Sequence, residues 1–227
     1  MNDDLILVLG SKPKSSLPDI LVKKVYSANA ACEKADEYLK KFQNVSHVSV
    51  VGVKQLLYEE SVYKRILKSK IDKLVTRGIA NLDRFHFAYE TIKLSNNLQL
   101  KIQSRFFNHG YLDLLIAESK YEENLLNKFK HILNCVRFNL FTGCSTGFFA
   151  IIYALHENLN SKILISGVGM KTGSHFYSGS TRGFTERAKV DQYLITKLKS
   201  EYKNRLFSLN DDFCENFKIN KWNGKIL

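Results

Sequence analysis

Two glycine-rich polar segments carry side chains that suit chemistry on a phosphorylated ligand. The longer one, Gly167–Gly183, combines five glycines with serines, threonines, one histidine (His175) and one arginine (Arg182). A histidine titrates near neutral pH, so it can act as a base or hold a phosphate. A lone histidine is more often structural, but long glycine-rich segments in compact domains commonly serve function. The segment is therefore a candidate site.

The shorter segment, residues 142–147 (TGCSTG), stands directly before an apolar stretch that predicts a buried helix. Ser145 or Thr146 can cap that helix, and the N–H groups and dipole at a helix start favour an anion. Gly10-Ser11-Lys12 offers another phosphate contact, with a close backbone approach and a lysine charge. Neither segment matches a P-loop or a dinucleotide fingerprint. Capping without a ligand and an ordinary turn are the alternative interpretations.

The elements that must position these segments alternate between strand and helix patterns. Strand patterns occur at Leu5–Leu9, Leu21–Ser27, His47–Val53, Lys73–Thr76, Lys162–Ser166 and Arg205–Leu209. Helix patterns occur at Ala31–Phe42, Lys54–Lys70, Tyr121–Leu133, Gly147–His156 and Thr185–Tyr202. Residues 79–110 show only alternation at Leu98–Ile102 and a turn at Asn108-His109-Gly110. The order predicts one α/β domain over residues 1–227, with a mostly parallel, Rossmann-like sheet flanked by helices.

The predicted sheet gives the polar segments a common place. In open parallel sheets, ligands bind beyond the carboxyl ends of the strands. We therefore expect one site made of the residues that follow strands, together with the segment before the buried helix: Gly10-Ser11-Lys12, Asn29, Arg77, residues 142–147 and Gly167–Gly183.

Composition and charge narrow the classes of protein. The 227 residues are 44% hydrophobic and 12% aromatic, which excludes a disordered chain. A net charge of +12 attracts nucleic acid, anionic membranes or phosphorylated small molecules, and the dispersed lysines and arginines do not choose among them. No apolar stretch is long enough to span a membrane, and Leu5–Leu9 is too short for a signal peptide. We expect a cytoplasmic protein, or one at the inner membrane face.

The spacing of cysteines and histidines suggests neither a zinc site nor a disulfide framework. No C-x-x-C pair occurs, and the six histidines form no H-x-x-x-H or H-E-x-x-H motif. We expect buried free thiols and no bound metal. The missing G-x-S-x-G argues against an α/β-hydrolase, and the missing D-x-D against a metal-dependent nucleotide-sugar transferase. The four cysteines are Cys32, Cys135, Cys144 and Cys214.

The motifs LVLGSKP, YSAN, STGFFAIIYAL…KILISGVGMKTGSHFYS and RGF…AKVD, in this order, resemble the bacterial sialyltransferase and Kdo-transferase superfamily. The resemblance covers the first strand, Asn29 and most of residues 142–195, about half the chain. It implies a modified Rossmann-like sheet and transfer of an acidic sugar from a CMP donor, without a metal or other cofactor. It also implies a glycan or glycolipid acceptor, so the basic surface would suit an anionic membrane.

The resemblance further implies roles for single residues. Arg182-Gly183 matches a pair that the family follows with histidine, and Phe184 stands in that place. This leaves His175 as the candidate catalytic histidine, with Glu186 as a substitute carboxylate. A catalytically degenerate relative and a basic nucleic-acid-binding protein are the alternatives. The residues that would hold the donor are Gly10, Ser11 and Lys12 at the phosphate, Asn29 at the nucleotide or sugar, Ser145, Thr146 and Gly147 around the donor, Gly167 beside the cytidine, and Arg182.

Two substitutions test the long segment. Arg182→Ala is expected to weaken binding of the CMP donor by roughly 1.5–3 kcal/mol, the range for a hydrogen bond to a charged group. His175→Ala is expected to lower turnover about a hundredfold, because a positioned imidazole transfers the proton in the transition state. Calorimetry and an assay of donor turnover measure the two effects. Unchanged turnover in His175→Ala, with binding lost in Arg182→Ala, would make the histidine structural.

Overall fold

A computed structural model of the chain describes residues 4–13, 15–82, 87, 89–122, 124–138, 143–169 and 184–226. Within these residues, all the strands belong to one sheet. They are β1 (Leu5–Leu9), β2 (Lys24–Ala28), β3 (Ser46–Gly52), β4 (Lys73–Arg77), β5 (Glu90–Leu94), β6 (Lys162–Ser166), β7 (Leu206–Ser208) and β8 (Asn220–Lys221).

Helices connect most of the strands and cover both faces of the sheet. None of the helices in the described ranges combines the length and apolarity needed to cross a membrane. They are α1 (Cys32–Lys41), α2 (Val53–Tyr58), α3 (Glu60–Lys68), α4 (Asn96–Ser104), α5 (Tyr111–Glu118), α6 (Leu125–Phe138), α7 (Thr146–Glu157), α8 (Phe184–Lys197), α9 (Ser200–Lys203) and α10 (Asp211–Phe217).

The strand order across the sheet is β5-β4-β3-β2-β1-β6-β7-β8, and every neighbouring pair is parallel. The chain builds outward from β1 to β5, returns through α4 to α7, and resumes at β6 on the other side of β1. The direction of building therefore reverses between β1 and β6. This reversal is the topological switch point at which open α/β sheets bind ligands. The α/β prediction, with a parallel sheet flanked by helices, is confirmed.

Both faces of the central strands are buried, which explains why their sequences are apolar throughout. In β1, Ile6 and Val8 face a core that also contains residues of α4, α5, α7, α8 and α10. Leu5, Leu7 and Leu9 point to the opposite face, where α1 packs. Because α7 packs on β1, β2, β3 and β6, it must be apolar nearly all round. Its starting point is thereby fixed relative to the strand ends.

Two long predicted helices are each divided in the structure. The pattern over Lys54–Lys70 is broken at Glu59, which has an extended backbone (φ −106°, ψ 92°) between α2 and α3. Leu56 and Val62 are buried in one cluster, yet in one uninterrupted helix they would point about 120° apart. The break lets both side chains reach that core. The pattern over Thr185–Tyr202 likewise divides into α8 and α9.

The middle of the chain differs most from its sequence pattern. The alternating positions of Leu98–Ile102 lie within α4, because the Ser95 hydroxyl caps that helix by accepting from the Leu98 N–H at 3.2 Å. Strand β5 lies at the edge of the sheet, and most of its residues are charged or half-exposed, so its sequence contains no apolar run that would predict a strand. The second strand begins at Lys24 rather than at Leu21.

Two glycines form the switch point itself. The Gly10 N–H donates to the Ser166 carbonyl and the Lys12 N–H to the Gly167 carbonyl, both at 2.8 Å. A Cβ on Gly10 would lie 2.3 Å from the Gly167 carbonyl oxygen. Gly167 has φ +69°, and its own Cβ would lie 2.7 Å from the Gly10 oxygen. Only glycine permits this approach of two backbones.

Gly10→Ala is therefore expected to lower the free energy of unfolding by about 3 kcal/mol, at the upper end for overpacking, because backbone atoms must move apart. Gly169→Ala is the matched control, since a Cβ there meets no described atom within 4 Å. Its effect should stay within about 1 kcal/mol. Denaturant titration measures both values, and equal stabilities of the two variants would contradict the close approach.

Candidate functional site

The ends of β1, β2 and β3 are tied together by side chains of the predicted site. The Ser11 hydroxyl is buried and donates to the Ala28 carbonyl at 3.2 Å. Asn29 has φ +50°, a conformation that asparagine tolerates better than most residues, and its Oδ1 accepts from the Gly52 N–H at 3.2 Å. Lys12 is exposed beside them. In the loop after β1, Lys12 is therefore exposed to solvent at the carboxyl edge of the sheet.

The start of α7 lies at the same edge. Ser145 is the N-cap, and its hydroxyl accepts from the Phe148 N–H at 3.2 Å. A Cβ on Gly52 would lie 3.5 Å from the Thr146 hydroxyl, and a Cβ on Gly147 3.5 Å from a methyl group of Val168. The first turn of α7 therefore stands between the end of β3 and the segment that follows β6.

This convergence bears on the predicted donor residues. The described ones, from the loops after β1, β2 and β6 and from the start of α7, are neighbours at the carboxyl edge, as the strand-end rule predicts. His175 and Arg182 lie outside the described residues. Glu186 belongs to the first turn of α8, and its side chain also lies outside them.

Three buried side chains hold the backbone just before α7. Glu118 Oε1 accepts from the Gly143 N–H at 3.2 Å and Gln103 Oε1 from the Cys144 N–H at 2.9 Å. Asp191 Oδ1 accepts from the Ser145 N–H at 2.8 Å. These acceptors belong to three different helices, α5, α4 and α8. The segment is thus positioned by the protein and needs no ligand to fix it.

Arg77 connects the end of β4 to this segment. Its guanidinium donates to Gln99 Oε1 at 2.9 Å, to the Cys144 carbonyl at 2.8 Å and to the Thr146 hydroxyl at 3.4 Å. Its carbon Cζ also lies 4.5 Å from the centre of the Phe149 ring. A lysine cannot reproduce this fork of donors and the stacking together. Arg77 therefore both braces α7 and brings positive charge to its first turn.

Asp191 is a buried carboxyl group that interacts electrostatically with Arg77 and with Arg187. Burial raises the pKa of Asp191 to about 6, while Ser145 and the positive charges of Arg187 and Arg77 act to lower it. Arg187 also donates to the Gly143 carbonyl at 3.2 Å. Cys144 is fully buried, and burial raises the pKa of its thiol, so it serves packing and is no nucleophile.

The arrangement can bind an anion at the first turn of α7. No described residue accepts a hydrogen bond from the backbone N–H of Thr146 or Gly147, which point out of the helix start. The helix dipole and nearby Arg77 favour negative charge at that point. The Ser145 hydroxyl accepts in the cap and is also hydrogen-bonded to Asp191, so the segment would contact a ligand mainly through its backbone.

The sequence patterns did not single out Gln103 and Glu118, and they gave no role to Asp191, although the AKVD motif ends on it. Asp191 offered a signal, because it is an acidic residue beside the buried Val190 and near Leu194 on the core side of α8. A carboxylate in such a stripe requires a polar partner. Its partner, the Ser145 N–H, is distant in sequence.

The raised pKa makes stability depend on pH. The folded protein binds the Asp191 proton more tightly than the unfolded chain, so ionisation lowers the free energy of unfolding as the pH rises from 4 to 6. The loss is on the order of 3 kcal/mol. Asp191→Asn keeps an acceptor for the Ser145 N–H and should lack this part of the slope, as denaturant titrations across that range will measure. The same slope in both proteins would contradict the assignment.

The chain was compared with protein-family models, with curated proteins and with solved structures, and no match was found in any of the three. The fold and the site described above are therefore the basis for a functional proposal, together with the sequence motifs.

Proposed function

We propose that this chain is a glycosyltransferase that moves an acidic sugar, of the sialic acid or Kdo type, from a CMP donor to a surface glycan without using a metal. The observation that carries the proposal is the convergence at one sheet edge of the described residues that the motif resemblance assigns to the donor. They come from the loops after β1, β2 and β6 and from the start of α7. An edge at a topological switch point is where a nucleotide binds in this class of sheet.

The donor phosphate is proposed to bind at the first turn of α7. There the N–H groups of Thr146 and Gly147 donate to its oxygens, and Lys12 contributes charge from the rim. Asn29 contacts the nucleotide or the donor sugar. Neutralising the phosphate makes CMP a better leaving group, because the negative charge that develops on departure meets donors already in place.

The chemical step is proposed to use residues 175–186. His175 takes the proton of the acceptor hydroxyl, Arg182 holds the phosphate, and Glu186 is the substitute base. The N-terminal turn of α8 carries Glu186, and Arg187 in the same turn bonds to the Gly143 carbonyl. This contact supports the placement of that turn near the start of α7.

Calorimetry with CMP tests the binding half of the proposal. We expect binding at sub-millimolar to millimolar concentration, and Lys12→Ala should weaken it roughly fivefold, which corresponds to about 1 kcal/mol for an exposed charge. Lys68→Ala is the matched control. It removes the same charge from an exposed lysine at the end of α3, where the chain approaches the opposite edge of the sheet, and should leave binding unchanged.

Turnover is measured as CMP released from CMP-sialic acid and CMP-Kdo, with and without a glycan acceptor. Acceptor-dependent release supports the transferase. Binding of CMP without turnover of the CMP-sugars would identify a non-catalytic relative, which Phe184 in place of the family's histidine would explain. No binding of CMP at millimolar concentration overturns the donor assignment. Binding of oligonucleotides with a steep salt dependence would instead favour a nucleic-acid-binding protein.

A further inference from the structure

A histidine, a cysteine and a glutamate meet between α5 and α6. Glu118 is the last residue of α5, and His131 and Cys135 lie one turn apart on α6. Their ligand atoms all lie within 4.8 Å of one another. His131 Nε2 is 3.6 Å from Glu118 Oε2 and 3.5 Å from Cys135 Sγ.

The two distances from His131 Nε2 match the edges of a metal coordination tetrahedron. With Zn–N and Zn–O bonds of about 2.1 Å and a Zn–S bond of about 2.3 Å, tetrahedral geometry separates the ligand atoms by about 3.4–3.6 Å. An imidazole, a thiolate and a carboxylate together suit zinc better than the hard cations calcium and magnesium. These two separations already fit the ion, and Glu118 and Cys135, whose ligand atoms lie within 4.8 Å of each other, would close the third edge.

We propose that Glu118 Oε2, His131 Nε2 and Cys135 Sγ bind a zinc ion, with water as the fourth ligand. Glu118 and Cys135 are buried, whereas the His131 side chain is 32% exposed and gives the ion a path from solvent. A divalent cation compensates the buried carboxylate charge. The thiol proton leaves to solvent as the metal binds.

The second oxygen of Glu118 gives this site an outer support. Oε1 accepts from the Gly143 N–H, so Oε2 stays turned toward His131 and Cys135. Hydrogen bonds of this kind orient a metal-binding carboxylate. The ion would thus join α5 and α6 to the segment that leads into α7. Its role is structural, since the transfer proposed above uses no metal.

The sequence alone did not indicate this site. His131 and Cys135 have the i, i+4 spacing of one helix face, but Glu118 comes from another helix. The buried free thiol expected of Cys135 is here one of three potential ligands.

The test uses untagged full-length protein, stripped of metal and titrated with Co²⁺ as a visible probe for zinc. We expect one equivalent to give the strong visible absorption of four-coordinate cobalt and a thiolate charge-transfer band, both removed by added Zn²⁺. Cys135→Ser should abolish the charge-transfer band. His131→Ala and Glu118→Gln should each weaken binding at least tenfold, and the glutamine retains an acceptor for the Gly143 N–H.

The matched controls are Cys214→Ser, which alters another buried thiol, and His156→Ala, which removes another imidazole. Both should keep the wild-type spectrum. Circular dichroism verifies that each variant folds. If Cys135→Ser does not fold, the cobalt affinity of His131→Ala, at a partly exposed position, is compared with that of the wild type instead. Absence of a stoichiometric cobalt spectrum, or a charge-transfer band that survives Cys135→Ser, overturns the proposal. CMP binding is measured separately, so either proposal can fail alone.

Discussion

The contact between the backbones of Gly10 and Gly167 sets the geometry on which the carboxyl edge depends. The two residues follow the adjacent strands β1 and β6, and the loop after β1 donates two hydrogen bonds of 2.8 Å to the carbonyls of Ser166 and Gly167. Any side chain at Gly10 would separate these loops. Glycine at this position is thus required by the protein itself, before any ligand is considered. The close approach also positions the next two residues, so that the Ser11 hydroxyl reaches the Ala28 carbonyl and the Lys12 N–H reaches the Gly167 carbonyl.

At the carboxyl edge, some backbone N–H groups before and in the first turn of α7 are hydrogen-bonded within the protein, and others have no acceptor among the described residues. Gly143, Cys144 and Ser145 give their N–H groups to buried side chains, and the Ser145 hydroxyl closes the cap of α7. The following two N–H groups have no acceptor among the described residues. Buried polar networks of this kind are rigid when fully paired. An anion at the start of α7 would accordingly meet donors already fixed in direction.

Sequence patterns predicted the parts of the fold that depend on local or one-dimensional signals. Strands such as β1 and β6, buried on both faces, leave continuous apolar runs, and the strand-end rule then predicted that the residues following them lie close together. Edge strand β5 leaves no such run. The break at Glu59 and the pairing of Asp191 with Ser145 depend on where distant elements pack. Periodicity contains no information about those partners, and the same holds for Glu118 with His131 and Cys135.

The pairing of Asp191 with the Ser145 N–H also bears on the order of events during folding. The acceptors for Gly143, Cys144 and Ser145 lie 25, 41 and 46 positions away along the chain. Closing such long loops costs entropy, so these contacts form after the local ones. Asp191 also follows β6 in the chain. During synthesis, β1 to β6 and α7 emerge before it, whereas β7 and β8 emerge after it, so the Ser145 N–H meets its acceptor only when most of the described sheet has already been made.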